Sequence, residues 1–209
     1  MSKILIVNSS ALAAESVSSR ITTAFAEKVR KQDPNVEITI RDVGADPIPH
    51  LTPETVGAIR GAEPETDLAR QALALSNQLI SEIKDADIIV IGSPMYNFGM
   101  SSTLKTWFDH IARAGLTFRY SESGPEGLVK GKKAIVVESR AGFYSEGAGT
   151  VMDSQEPHIR NLLGFIGIDD VTFVRIEKLA FGPETAEASI AAALSEIEAI
   201  SHEQRAIAA

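Results

Sequence analysis

Apolar positions along the chain fall into five short, β-branched runs separated by stretches with helical spacing. Lys3–Asn8, Val36–Asp42, Asp87–Ile91, Ala134–Glu138 and Val171–Ile176 read as strands, the first nearly continuous in apolar residues, as a strand buried on both faces should be. Helical spacing is found at about Ile21–Arg30, Leu68–Ile83, Ser101–Ala114, Ile159–Ile166 and Thr185–Glu203. Residues 44–66, rich in Pro, Gly and Glu, predict a long connection carrying a short helix. Strands alternating with helices predict an α/β fold: a doubly wound, five-stranded parallel sheet with helices on both faces. With no repeat, low-complexity linker or break in composition, residues 1–209 are expected to form a single domain.

One piece interrupts the alternation. Within Gly115–Gly131, Leu116–Tyr120 alternates like a short strand and Ser123–Gly127 carries turn chemistry. Beside the ligand-binding edge such an excursion serves as a lid or a dimer contact, and a plain surface hairpin is the alternative.

Composition narrows the field. A formal charge of −8, with basic residues scattered along the chain, argues against a nucleic-acid partner. The absence of cysteine excludes disulfides, thiolate metal sites and cysteine nucleophiles. His50, His110, His158 and His202 are dispersed without metal-ligand spacing, so no metal site is assigned. No stretch reaches the ~20 apolar residues of a membrane span, and no signal peptide precedes the first strand, so the cytoplasm is expected.

The informative chemistry lies where strands end. In open α/β sheets, ligands sit outside the carboxyl ends of the strands. The loop after the third strand, Met95, Tyr96, Asn97 and Phe98, offers amides, a carboxamide and two aromatic rings, but no acid, histidine or cysteine. It suits a flat polar ring whose reactivity belongs to a bound cofactor. Core packing of Tyr96 and Phe98 is the other reading. After the first strand come Ser9, Ser10, Ser16, Val17 and Ser18 and then a helix, whose unpaired amides and dipole suit a phosphate. Plain N-capping accounts for one of these serines. After the fourth strand, Ser139, Arg140, Ala141 and Gly142 place small residues where a backbone approaches a ligand. One loop for a phosphate and two for a planar heterocycle suit flavin mononucleotide (FMN). Leu104, Trp107, Phe108 and Ile111, at helical spacing, read as a core stripe.

Asn8–Ser10, Ser16–Ser18, Pro94–Phe98, Arg113–Tyr120, Gly124–Gly127 and Leu163–Gly167 together resemble the FMN-dependent NADH azoreductases, over essentially the whole chain. The resemblance implies a flavodoxin-like fold, one FMN per subunit, and a homodimer with sites at its interface. It implies NADH or NADPH as donor, and two-electron reduction of quinones and of azo bonds, the latter cleaved to amines. Carried over by position, Ser10 and Ser16 to Ser18 bind the FMN phosphate, Met95 to Phe98 line the ring near N5, and Ser139 to Gly142 meet its pyrimidine edge. The implied chemistry uses no catalytic side chain: hydride passes through flavin N5 in a pocket of Asn97, Phe98, Phe118 and Tyr120, the last two capping the partner's flavin. Ala141 stands where the family has Gly, so a slightly altered loop is expected if φ is positive there. A flavodoxin-type carrier of single electrons, unable to oxidise NADH alone, is the alternative.

Overall fold

The computed structural model describes residues 3–208. In chain order the elements are β1 (Lys3–Asn8), α1 (Val17–Gln32), β2 (Glu37–Asp42), α2 (Val56–Ile59), α3 (Asp67–Asp85), β3 (Ile88–Pro94) and α4 (Ser102–Ile111). There follow β4 (Phe118–Ser121), β5 (Gly124–Gly127), β6 (Lys133–Ser139), α5 (Glu156–Ile166), β7 (Asp170–Ile176) and α6 (Pro183–Ala208). Five strands form one sheet in the order β2-β1-β3-β6-β7, with every pair parallel. The order reverses between β1 and β3, which opens a crevice at their carboxyl ends.

The period of two along each strand sends alternate residues to opposite faces. Leu5, Val7, Ile89, Ile91 and Val136 pack with Leu79, Ile83, Trp107, Phe108 and Leu163 from α3, α4 and α5. Ile4, Ile6, Val90, Val137 and Val174 pack with Ile21, Phe25, Ala193 and Ile197 from α1 and α6. β3 is buried at every position, as its central place and the apolar run Ile88–Ile91 require. Trp107 is fully buried, as the core-stripe reading of its helix expected.

Two boundaries differ from the pattern for local reasons. Helix α1 begins at Val17 rather than Ile21, because Ser16 Oγ accepts the Ser19 amide at 3.1 Å and caps the first turn. Helix α4 stops at Ile111 rather than Ala114, where Thr117 Oγ1 donates to the Ile111 carbonyl at 2.6 Å. The excursion is an antiparallel hairpin of β4 and β5. Phe118 anchors it against Phe165, ring centroids 4.4 Å apart, and the Val129 amide donates to Ile166 at 2.8 Å. Gly127 and Gly167 meet backbone to backbone, and a Cβ on Gly127 would lie 2.1 Å from the Gly167 nitrogen.

Candidate active site

The loops after β1, β3 and β6 meet at the carboxyl edge. The Ala11 amide donates to Tyr96 Oη at 3.1 Å, joining the first loop to the second. The Met95 amide donates to the Ser139 carbonyl at 2.9 Å, joining the second to the third. The Ser154 amide donates to the Phe98 carbonyl at 3.0 Å, and the rings of Phe98 and Tyr144 stand edge to face with centroids 6.1 Å apart. Beside this junction lies a cavity of about 610 Å³, which Ser9, Ala11, Gly44, Tyr96, Asn97 and His158 help to line.

At the first loop, the amides of Val17 and Ser18 are the opening donors of α1 and have no acceptor within the helix. Ser16 and Ser18 approach each other at 3.3 Å between hydroxyls, and the Ser10 hydroxyl accepts the Leu12 amide at 3.2 Å. Ser18 is fully buried with its hydroxyl turned towards the sheet beside Gly92, so its backbone amide is its donor to the edge. The turn after β2 supports this loop from below, since a Cβ on Gly44 would lie 2.1 Å from the Ser10 carbonyl oxygen. Gly44→Ala is therefore expected to displace residues 9–11 and cost about 1–3 kcal/mol, read as a lower urea midpoint at unchanged slope.

The second loop is a tight turn. Tyr96 and Gly99 exchange backbone hydrogen bonds of 2.8 and 3.0 Å, which leaves Asn97 and Phe98 at its tip with φ of 48° and 71°. Asparagine tolerates this left-handed region, whereas phenylalanine there carries strain of roughly 1–3 kcal/mol. The conformation lifts the Phe98 ring out of the core and leaves it 41% exposed at the edge.

The third loop departs from expectation at Arg140. Its side chain is fully buried and points into the protein. Nε donates to Gln155 Oε1 at 3.0 Å, Nη1 reaches Glu177 at 3.2 Å, and Nη2 reaches Glu138 at 2.6 Å and Asp153 at 3.1 Å. Its amide donates to the Ile176 carbonyl at 2.8 Å. Side chain and amide are both spent on the protein, so Arg140 holds the loop in place and does not itself reach outward. The carbonyls of Arg140, Ala141 and Gly142 accept the amides of Leu179, Ala180 and Lys178, while the amides of Ala141 and Gly142 make no hydrogen bond among the described residues. Those two amides are the donors this loop offers. The backbone at Ala141 does not take a positive φ, so alanine is accommodated without the expected alteration. A Cβ at Gly142 would come within 2.8 Å of the Tyr144 ring, which would have to turn aside to admit it.

Gln155 links the second and third loops. Fully buried, it accepts from Arg140 and donates from Nε2 to the Ser93 carbonyl at 2.8 Å and hydroxyl at 3.0 Å. Glu177 receives the amides of Tyr144 at 2.8 Å and Ser145 at 3.1 Å. Burial acts to raise the Glu177 carboxyl, but these donors, the Ser145 hydroxyl and Arg140 outweigh it and hold it below the usual carboxylate range. Glu138 goes the other way. Burial, joined by the charges of Glu156 and Asp153, pushes it up to about 8 against the pull of Arg140 and Arg175.

Phe118 and Tyr120 lie apart from the three loops. They line a separate cavity of about 620 Å³ with Ile59, Arg60 and Arg113. Tyr120 is 76% exposed at the outer face of the hairpin. Among the described residues no cluster of histidine and carboxylate side chains has the form of a metal site.

Residues 2–200 match the family described as having a flavodoxin-like fold. A protein of Hyphomonas neptunium named FMN-dependent NADH:quinone oxidoreductase is 46% identical over 209 residues, covering 100% of both chains. The chain belongs to this flavodoxin-like family of FMN-dependent NADH:quinone oxidoreductases. An Escherichia coli K12 protein of the same name is 49% identical over 201 residues, 96% of this chain and 98% of its own. Family likeness extends to solved structures. The FMN-dependent NADH-azoreductase of Bacillus anthracis strain Ames Ancestor, crystallised in complex with FMN, superposes with a TM-score of 0.88 at 26% identity, covering 98% of this chain and 99% of that one. Family membership agrees with the fold expected from the strand pattern and with the resemblance read from the loops.

Proposed function

We propose that this chain is an FMN-dependent oxidoreductase that uses NADH or NADPH to reduce quinones by two electrons and to cleave aromatic azo compounds to amines. Residues 1–209 act as one domain, in a cytoplasmic homodimer. The observation that carries this reading is the set of uncommitted donors on three joined loops: the amides of Val17 and Ser18 at a helix start, and those of Ala141 and Gly142 on the third loop. The first pair suits a phosphate and the second the polar edge of a flat ring. Both pairs lie on joined loops at the carboxyl edge of the sheet, beside the β1/β3 crevice, where one ligand can carry both groups.

In this reading Ser10, Ser16, Val17 and Ser18 hold the phosphate of FMN. Met95, Tyr96, Asn97 and Phe98 flank the ring, and Ser139, Ala141 and Gly142 meet its pyrimidine side. Arg140 contributes by fixing the loop. Bound there, FMN supplies the redox chemistry, accepting two electrons from the nicotinamide and giving them to a quinone, or twice over to an azo bond. The polypeptide binds and orients, and its amides favour negative charge on the ring. The exposed Phe98 supports an aromatic wall against which donor and acceptor lie in turn. Tyr120, exposed on its hairpin, supports a contact across the dimer that covers the partner's site.

A single slot used alternately implies ping-pong kinetics. Steady-state rates with NADH and a benzoquinone are expected to give parallel double-reciprocal lines, and intersecting lines would refute the shared slot. A one-electron carrier on the same fold is not favoured: its FMN-loaded form would leave NADH unoxidised in this assay.

A further inference from the structure

Glu138 is an acid that the account so far leaves without a task. It is the penultimate residue of β6, fully buried, and only one of its carboxylate oxygens is bonded: Oε2 accepts from Arg140, whereas Oε1 has no partner among the described residues. The charged groups around it come from every element packed there. Arg140 follows it on the third loop, Asp153 and Glu156 come from the turn and first residue of α5, and Arg175 and Glu177 come from the end of β7. Arg160 shares Glu156 with Arg175, at 2.9 and 2.8 Å.

The guanidiniums of Arg140, Arg160 and Arg175 thus face the carboxylates of Glu138, Asp153, Glu156 and Glu177, with Glu196 of α6 also acting on Arg175, so the carboxylates outnumber the cations. Asp153 and Glu177 each accept further donors, and Glu156 is held by two arginines. Glu138, the most deeply buried and least bonded, is where the balancing proton belongs. Its position couples it to the site. Glu138 stands three residues before Ala141, and its single bonded partner is the arginine whose backbone leads to the two free amides. Charges in so dry a setting act on one another far more strongly than in water.

Resting on the reading of FMN at this edge, we propose that Glu138 is a redox-linked proton site, taking up one proton from solvent when the bound ring gains two electrons and releasing it on reoxidation. The balance is explicit. The nicotinamide delivers two electrons and one proton together to the ring, and a second proton passes from water to the Glu138 carboxylate. Asp153 shares the same guanidinium nitrogen and its side chain is 10% exposed, which offers the proton a carboxylate relay toward solvent. The effect is confined to pH values at which Glu138 is ionised in the oxidised protein, above about 8. At lower pH the carboxyl holds its proton in both states.

The test is the number of protons taken up per two electrons by the FMN-loaded protein, followed with a pH dye in weak buffer during anaerobic reduction. With NADH as the reductant, which carries its own hydrogen to the ring, the wild type is expected to take up no proton from solvent near pH 6 and to approach one near pH 9, and E138Q to take up none at either. Across that range the reduction equilibrium of the wild type gains a dependence of up to tenfold per pH unit, about 30 mV for a two-electron couple. E138Q lacks it. The reduced-minus-oxidised infrared spectrum of the wild type near pH 9 should also gain the band of a protonated carboxylic acid. This reading needs no variant. A count of zero at both pH values with no such band overturns the inference and leaves the proposed function standing. A protein that binds no FMN, or whose FMN is not reduced by NADH, overturns the proposed function itself.

Discussion

Arg140→Met is expected to lower the stability of the protein by about 3–5 kcal/mol, the cost of removing one partner from a buried ionic cluster. Glu138, Asp153 and Glu177 all lie on the guanidinium, and methionine fills much of its volume while leaving Glu138 and the Gln155 oxygen without a donor and Asp153 and Glu177 without their cation. Lysine is not a sufficient replacement, because one ammonium cannot reproduce a planar fork that reaches four groups in different directions. The loss is local in its first effect. Arg140 holds the start of the third loop, and through Gln155 it holds the end of β3 at Ser93, so both ring-facing loops loosen together. Urea unfolding measures the first consequence and FMN affinity the second. A variant that unfolds within about 1 kcal/mol of the wild type would show that the cluster is not the anchor described here.

Val17→Pro separates the phosphate from the rest of the site. Val17 is the first residue of α1, a position where proline is accepted because its missing N–H has no helical partner. The preceding Ser16 has φ −73° and ψ 117°, the extended conformation that proline demands of its neighbour. The substitution therefore deletes one donor at the helix start and leaves the helix intact. A hydrogen bond to a charged group contributes about 1.5–3 kcal/mol, so FMN is expected to bind roughly 10- to 100-fold more weakly. Riboflavin, which lacks the phosphate, should bind as it does to the wild type. The urea midpoint should fall only slightly, through the loss of Val17's partial packing against the core. Unchanged FMN affinity would move the phosphate away from Ser16–Ser18.

The centre of the sheet was legible because strands such as Lys3–Asn8 and Ile88–Pro94 are buried on both faces and carry their signal locally, while the exposed edge strand Glu37–Asp42 showed itself by alternation. The three loops were legible for a related reason: each follows a recognisable strand, and the strand order forces them to one edge. The duties of individual residues were harder to read. Arg140 sits in a small-residue loop that reads as a ligand contact, yet its partners Asp153, Gln155 and Glu177 come from the start of α5 and the end of β7. Nothing in the local pattern of those segments marks them as an anchor. The left-handed backbone at Asn97 and Phe98 was likewise hidden, because Phe98 is not a residue that announces such a turn. Ala141 failed in the opposite sense: a strain inferred from a Gly-to-Ala exchange is absent, since the chain runs there without a positive φ. The hairpin at 118–127 was readable from its alternation and turn residues, whereas its cavity with Arg60 and Arg113 depends on a distant connection.

Convergence of three loops on one flavin is the claim on which the rest depends. Anaerobic titration of the purified protein with FMN, followed by a stoichiometric addition of NADH, tests it in one cuvette. The account expects the fluorescence of FMN to be quenched at one equivalent per chain, and the visible absorption of the bound flavin to bleach on the addition. Fluorescence that rises with every aliquot as it does in buffer, with no bleaching by NADH, would contradict it.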